Sequence, residues 1–112
     1  MLESNPQACL VLTTESTLDE ANKLARTLVE ERLVACATLV PVVQSIYHWN
    51  DQIQSAPETM VLLKTSKEML EALEARLLEL HSFKVPEFLV LPIDQGNDAY
   101  LSWLRGAVAT KA

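Results

Sequence analysis

Ala35-Cys36-Ala37-Thr38-Leu39-Val40-Pro41-Val42-Val43-Gln44-Ser45-Ile46-Tyr47-His48-Trp49 is a nearly unbroken run of β-branched, aromatic and small apolar residues, and it reads as one long strand. Asn50-Asp51 follows as a two-residue turn. Gln52 to Lys64 then runs back, so that Trp49 faces Gln52 and Tyr47 faces Gln54. Residues 35–49 at ~3.3 Å each would span roughly 50 Å if straight. A globule of this length has a radius of gyration of only about 13 Å. The far end of the hairpin, with Tyr47, His48, Trp49 and Ile53, is therefore predicted to project beyond the core as an arm. Apolar groups on a projecting ribbon with unpaired edges invite association, so the arm reads as an oligomerisation device. Pro41 cannot donate a ladder hydrogen bond and predicts a bulge. Pro57 predicts an interruption of the return strand as well, making the outer arm a ribbon separate from the inner sheet.

On either side of the hairpin the hydrophobic pattern alternates between strand and helix. Ala8 to Thr13 is continuously apolar, as a central strand should be. Thr17-Leu18-Asp19-Glu20 forms a capping box for a helix whose Ala21, Leu24, Ala25, Leu28 and Val29 make one stripe. Arg32 near its end suits the negative pole of that helix. Ser66 is predicted to cap a second helix, with Met69, Leu70, Leu73, Leu77 and Leu80 inward and a stop near His81-Ser82. Phe88 to Ile93 is another apolar strand, and Asp94-Gln95-Gly96-Asn97 reads as a loop. Asn97 or Asp98 then caps a terminal helix with Tyr100, Leu101, Leu104 and Val108 inward. The order β-α-β-β-α-β plus a C-terminal helix is the ferredoxin-like split βαβ arrangement, an α+β fold. Two helices cover one face of its sheet. The other face is left open, a second reason to expect subunits packing sheet against sheet. The same topology puts a strand between those bearing Cys9 and Cys36, which disfavours a disulfide between them.

The 112 residues, 49% apolar, suit a single domain over 1–112, with residues 1–6 as a loose N-terminal tail. A formal charge of −6 argues against nucleic acid and against anionic membrane surfaces. No apolar run approaches the ~20 residues that cross a bilayer. Met-Leu-Glu-Ser-Asn-Pro lacks the basic and apolar regions of a secretory signal, so a cytoplasmic protein is expected. Cys9 and Cys36 stand alone in apolar runs, with no zinc-ligand spacing. Gly96 and Gly106 are the only glycines, so phosphate-cradling loops are absent.

Chemistry is sparse. Cys36 with His48 or His81 would be the nucleophile–base choice, but Cys36 sits between alanines in an apolar strand rather than in a basic, exposed setting. Two histidines and two cysteines are the whole supply of soft ligands, none at short spacing. Tyr47 and Trp49 alternate to one face of the arm, where they can stack on a ligand, although packing in an interface is the commoner use of such aromatics. Glu58, Lys64 and Glu87 lie near strand ends and can orient a small polar ligand or pair with one another. Alone, the residues describe a small α+β oligomer without recognisable catalytic apparatus.

Several landmarks together resemble the CutA family of divalent-cation tolerance proteins. They are Ala35-Cys36-Ala37-Thr38-Leu39-Val40-Pro41, Ser45-Ile46-Tyr47-x-Trp49 and Met60-Val61-Leu62-Leu63-Lys64-Thr65. Further along come Leu80-His81-x-Phe83-x-Val85-Pro86-Glu87 and Leu91-Pro92-Ile93, followed by Tyr100-Leu101-x-Trp103-Leu104. The match runs from about Ala8 to Leu104. It implies a thermostable homotrimer whose hairpins interlock through residues such as Tyr47, Trp49, Ile53 and Trp103, akin to PII signalling proteins. It also implies a cytoplasmic, non-enzymatic role in tolerance of copper or another divalent cation, with metal met weakly or indirectly. Copper-binding members place ligands at positions matching Thr13, Leu80 and His81, of which His81 alone is a metal-ligand type here. The family's glycine in the hairpin turn is replaced by Asp51, and its His-Pro-Tyr-Glu by His81-Ser82-Phe83-Lys84. Two other readings are a PII-like sensor holding a metabolite in intersubunit clefts lined by Cys36, Glu58, Lys64 and Glu87, and a purely structural trimeric scaffold.

Overall fold

A computed structural model of the chain describes residues 1–108; residues 109–112 of the predicted domain lie outside the described residues. The elements run β1 (Leu2–Ser4), β2 (Ala8–Glu15), α1 (Leu18–Glu30), β3 (Cys36–Trp49) and β4 (Gln52–Ser66). A 3₁₀ turn (Lys67–Met69) leads into α2 (Leu70–Leu80), β5 (Leu89–Pro92), β6 (Gln95–Asn97) and α3 (Asp98–Ala107). The main sheet is antiparallel with the order β3-β4-β2-β5. That is the ferredoxin-like arrangement the element order predicts.

Alternation along the strands sorts the side chains. Val11 of β2 and Val61 and Leu63 of β4 point to one face, where Ala21, Leu24 and Leu28 of α1 and Leu73 and Leu77 of α2 bury them. Leu10, Leu12, Met60 and Leu62 point to the other face, joined by the more exposed Val40, Leu89 and Leu91. No helix among the described residues covers that side. α3 instead seals the end of the sheet, packing Leu101, Leu104 and Val108 on Ala8, Ala35 and Met69. Tyr100, predicted inward, is half exposed. β5 is likewise not a covered strand: all of Leu89–Pro92 is exposed, because β5 pairs on one edge only.

The hairpin has the predicted register, Trp49↔Gln52 and Tyr47↔Gln54. Asn50 and Asp51 take φ of 53° and 60°, the left-handed pair that a type I′ turn requires. The bulge also falls where Pro41 predicts it: pairing passes from Val40↔Met60 to Val43↔Glu58, leaving Pro41 and Val42 opposite Thr59. Pro57 does not interrupt the return strand. β4 runs unbroken from Gln52 to Ser66, so arm and inner sheet are one structure. The reason is register. Counting from the turn, Gln44↔Pro57 is a non-hydrogen-bonded pair, so the missing N–H faces away from β3, beyond the point where β2 has ended. Extents of 46 × 28 × 21 Å and a radius of gyration of 14.9 Å record the projecting arm.

Four local expectations are corrected. The N-terminus is no loose tail and Gln95–Asn97 no loop: Leu2, Glu3 and Ser4 pair with Asn97, Gly96 and Gln95 as a second small sheet. Backbone alone makes that pairing, so no side-chain pattern announces it. Gly96 fits because an added Cβ would lie 2.9 Å from Leu101 Cδ1. Ser66 does not cap α2 with its side chain, since the 3₁₀ turn comes between; its hydroxyl is buried with no hydrogen-bond partner among the described residues. Arg32 takes φ 59° in a Schellman closure of α1, with Leu33 N–H on Leu28 O and Arg32 N–H on Val29 O, both 3.0 Å. Its guanidinium reaches Ala107 O at 3.0 Å and so serves the C-terminus of α3 rather than that of α1. Thr17 caps α1 and Asn97 caps α3 as predicted, accepting from Glu20 N–H and Tyr100 N–H.

Candidate functional site

β2 stops at Glu15 while β3 and β4 continue outward, which leaves a notch beside the arm. The segment between α2 and β5 crosses this notch. His81 ends α2 with extended backbone and turns the chain toward it. The result is a groove of about 670 Å³. Ser45, Tyr47, Trp49 and Glu58 line it from the arm, and Phe83, Lys84 and Glu87 from the crossing segment. The Ser45 hydroxyl donates to Glu58 Oε1 at 2.6 Å and fixes that carboxylate.

Beneath the groove a buried polar network ties the crossing segment to the end of β2. Glu15 and His81 side chains are 1% and 0% exposed. Phe83 N–H donates to His81 Nδ1 at 3.0 Å, which requires that nitrogen to be unprotonated. The proton is then on Nε2, which donates to Thr14 O at 2.6 Å, with the Thr13 hydroxyl 3.3 Å away. Glu15 draws its support from other donors: Ser16 N–H at 3.1 Å, Ser82 N–H at 3.1 Å and the Ser82 hydroxyl at 2.5 Å. The carboxylate lies 3.4 Å from His81 Nδ1, but that nitrogen has no proton to share with it. Three donors on a buried carboxylate satisfy it without a full counter-charge.

The predicted site residues therefore scatter. His81, the expected metal ligand, is enclosed with both ring nitrogens engaged within the subunit. Of the positions matched with it, Thr13 touches the same ring, while Leu80 packs against the core. Among the described residues no three His, Cys, Asp or Glu side chains cluster as a metal would need. The quartet Cys36, Glu58, Lys64 and Glu87 is split within one subunit. Glu58 and Glu87 share the groove, whereas Cys36 and Lys64 are directly paired at the other end of the sheet, roughly 20 Å away along β4. There Lys64 Nζ donates to the Tyr100 hydroxyl at 3.2 Å and lies 5.5 Å from the ring centroid, with Cys36 Sγ 3.8 Å from the same hydroxyl. The Tyr100 hydrogen bond, and after it the neighbouring Cys36, raises the Lys64 pKa above its ordinary value. Burial likewise pushes the Cys9 thiol up. Both cysteines are free. Tyr47, Trp49, Ile53 and Trp103, the expected interface residues, are all exposed.

Sequence reasoning missed Glu15, Ser82 and Tyr100. A signal for the first existed: Glu15 is in phase with Cys9, Val11 and Thr13, so continuing the strand two residues would have pointed a carboxylate into the core. Nothing comparable marks Ser82 or Tyr100, whose partners come from distant elements.

Known proteins give the same picture. A family profile described as CutA1 divalent ion tolerance protein matches residues 9–107. The divalent-cation tolerance protein CutA of Thermus thermophilus is 42% identical over 96 residues, covering 86% of this chain and 93% of that protein. The chloroplastic protein CutA of Arabidopsis thaliana is 37% identical over 98 residues, covering 88% of this chain but 54% of the longer relative. The solved structure of CutA from Synechococcus elongatus superimposes with a TM-score of 0.93 at 38% identity, covering 97% of this chain and 96% of the other. A bulged hairpin arm on a ferredoxin-like sheet, matched along nearly its whole length in sequence and in space, leaves one assignment: the chain belongs to the CutA1 family of divalent ion tolerance proteins.

Proposed function

We propose that the chain serves divalent-cation tolerance as a non-catalytic homotrimer of the cytoplasm, meeting copper or another divalent cation weakly or indirectly rather than in a resident site. The arm carries this reading. It extends a 46 Å molecule and exposes Ile46, Tyr47, Trp49 and Ile53 to solvent, next to an open sheet face bearing Val40, Leu89 and Leu91. Surfaces of this kind are stable when copies cover one another. The enclosed His81 supports weak or indirect metal contact, because a cation would first have to break the bonds to Thr14 and Phe83. Two free cysteines suit a reducing compartment.

Sedimentation of the purified protein tests the assembly, with an expected mass three times the 12.5 kDa of one chain. A single-chain mass at micromolar concentration overturns it. Calorimetric titration with copper or zinc ions tests the second part. Tight saturable binding that disappears in His81→Ala would show a direct ligand and refute the indirect reading.

A further inference from the structure

We propose that α3 is a lid over the end of the sheet, opening as a unit separate from the core and locked shut only when a second copy covers its outer side. The inference rests on the assembly proposed above. Leu101, Leu104 and Val108 pack with Ala8, Ala35 and Met69 in a small cluster that shares no buried residue with the core between the sheet, α1 and α2. Ala8 and Ala35 offer little side chain, so the apolar area holding α3 down is small. Segments with few buried apolar contacts open below the free energy of global unfolding. A helix as short as Asp98–Ala107 is marginal in water once its packing is gone.

Closure carries a cost. Ser66 is directly paired with Ala8, and cross-strand partners share a face, so its side chain lies on the side that α3 covers. Its hydroxyl is buried with no hydrogen-bond partner among the described residues, and lifting α3 returns it to water. The polar ties offset this only in part. Lys64 to the Tyr100 hydroxyl, Arg32 to Ala107 O and Arg105 to Glu3 all lie at or near the surface, where such bonds contribute little. The outer side of α3 supplies the remaining hold. Tyr100 and Trp103 meet there with ring centroids 5.3 Å apart, both half exposed. The bond from Lys64 to Tyr100 makes this aromatic pair continuous with the open sheet face, where Met60 and Leu62 are in phase with Lys64. A copy seated on that face reaches the pair, and covering it holds α3 down on Ala8 and Ser66.

Amide hydrogen exchange of the full chain tests the lid, read on the assembled wild-type protein and on single chains. Single chains come from dilution or from Ile53→Glu, at the opposite end of β4 from Ser66, and sedimentation fixes the state of each sample. In single chains, protection of residues 102–107 is expected to be at least about tenfold lower than that of residues 8–13. In the assembly the two sets are expected to exchange together. Ser66→Ala breaks no side-chain hydrogen bond and is expected to raise α3 protection in single chains about tenfold. Equal protection of α3 and β2 in single chains, a gap as wide in the assembly as in single chains, or a gap that Ser66→Ala leaves unchanged would each overturn the proposal. A wild-type mass of one chain at every concentration overturns the assembly, and the coupling with it, on sedimentation alone. An assembled wild-type protein whose single chains show α3 and β2 matched overturns the lid and spares the assembly.

Discussion

Val42 holds a β-branched side chain at φ 61° on the outer edge of the sheet, 84% exposed. Left-handed backbone costs an L-residue about 1–2 kcal/mol, and nothing packed against Val42 offsets that. Val42→Gly removes the strain and gives back part of the gain as chain entropy, about 0.5–1 kcal/mol. A net stabilisation of roughly 0.5–1 kcal/mol is expected, read as a higher urea midpoint at unchanged slope and fixed protein concentration. Glu15 is the opposite case. Glu15→Ala would leave the N–H groups of Ser16 and Ser82 and the Ser82 hydroxyl without their acceptor. A loss of about 2 kcal/mol follows from removing the buried acceptor of these part-buried bonds, together with faster amide exchange over residues 82–84. A loss under about 1 kcal/mol would mean that water replaces the carboxylate and the network is no clamp. The sequence discloses Pro41 as a bulge but not the strain at Val42, because strain depends on which of two bulged residues takes the left-handed conformation.

Elements with a strong period were legible. The stripe Ala21, Leu24, Ala25 and Leu28 is buried where predicted, whereas Val29, placed in the same stripe, is 39% exposed. β1 and β6 were not legible, since three-residue strands joined through backbone leave no periodic trace. One tie between elements has a pH signature. Arg76 on α2 donates from Nε and Nη2 to both oxygens of Glu31, the residue that ends α1, each at 2.9 Å. That bond, and secondarily the charge of Arg76, holds the Glu31 carboxyl below the ordinary value of 4.5. A lowered folded pKa means that the unfolded chain binds the proton first. The contribution is therefore complete above pH 4.5 and fades as pH falls through the depressed value. Arg76→Gln is expected to flatten the acid limb of the stability profile and to leave its neutral-to-alkaline shape unchanged. Equal acid limbs in the two proteins would show that the pair does not couple the helices.

For the molecule as a whole, a strand over residues 35–49 is too long for a globule of this size, and the projecting arm follows from that length. The groove leaves no trace in the sequence, because it joins residues 45–58 to residues 82–87 and the second stretch has no period that would fix its path. Ile53 stands 72% exposed near the tip. Ile53→Glu places a charge there without touching the core, and is expected to shift sedimentation toward single chains while far-UV dichroism is retained. In the unsubstituted protein the melting temperature should rise with protein concentration, as linked association demands.

Pro57 acquires a further meaning at this scale. A long ribbon with bare flanks is a template for endless strand addition, and the usual outcome of such a template is a filament. Here the flank of β4 lacks an N–H at Pro57, and the flank of β3 is distorted at Pro41 and Val42. A foreign strand creeping along either side meets a gap before it can lengthen. A sticky, extended limb can thus be carried without inviting uncontrolled polymerisation.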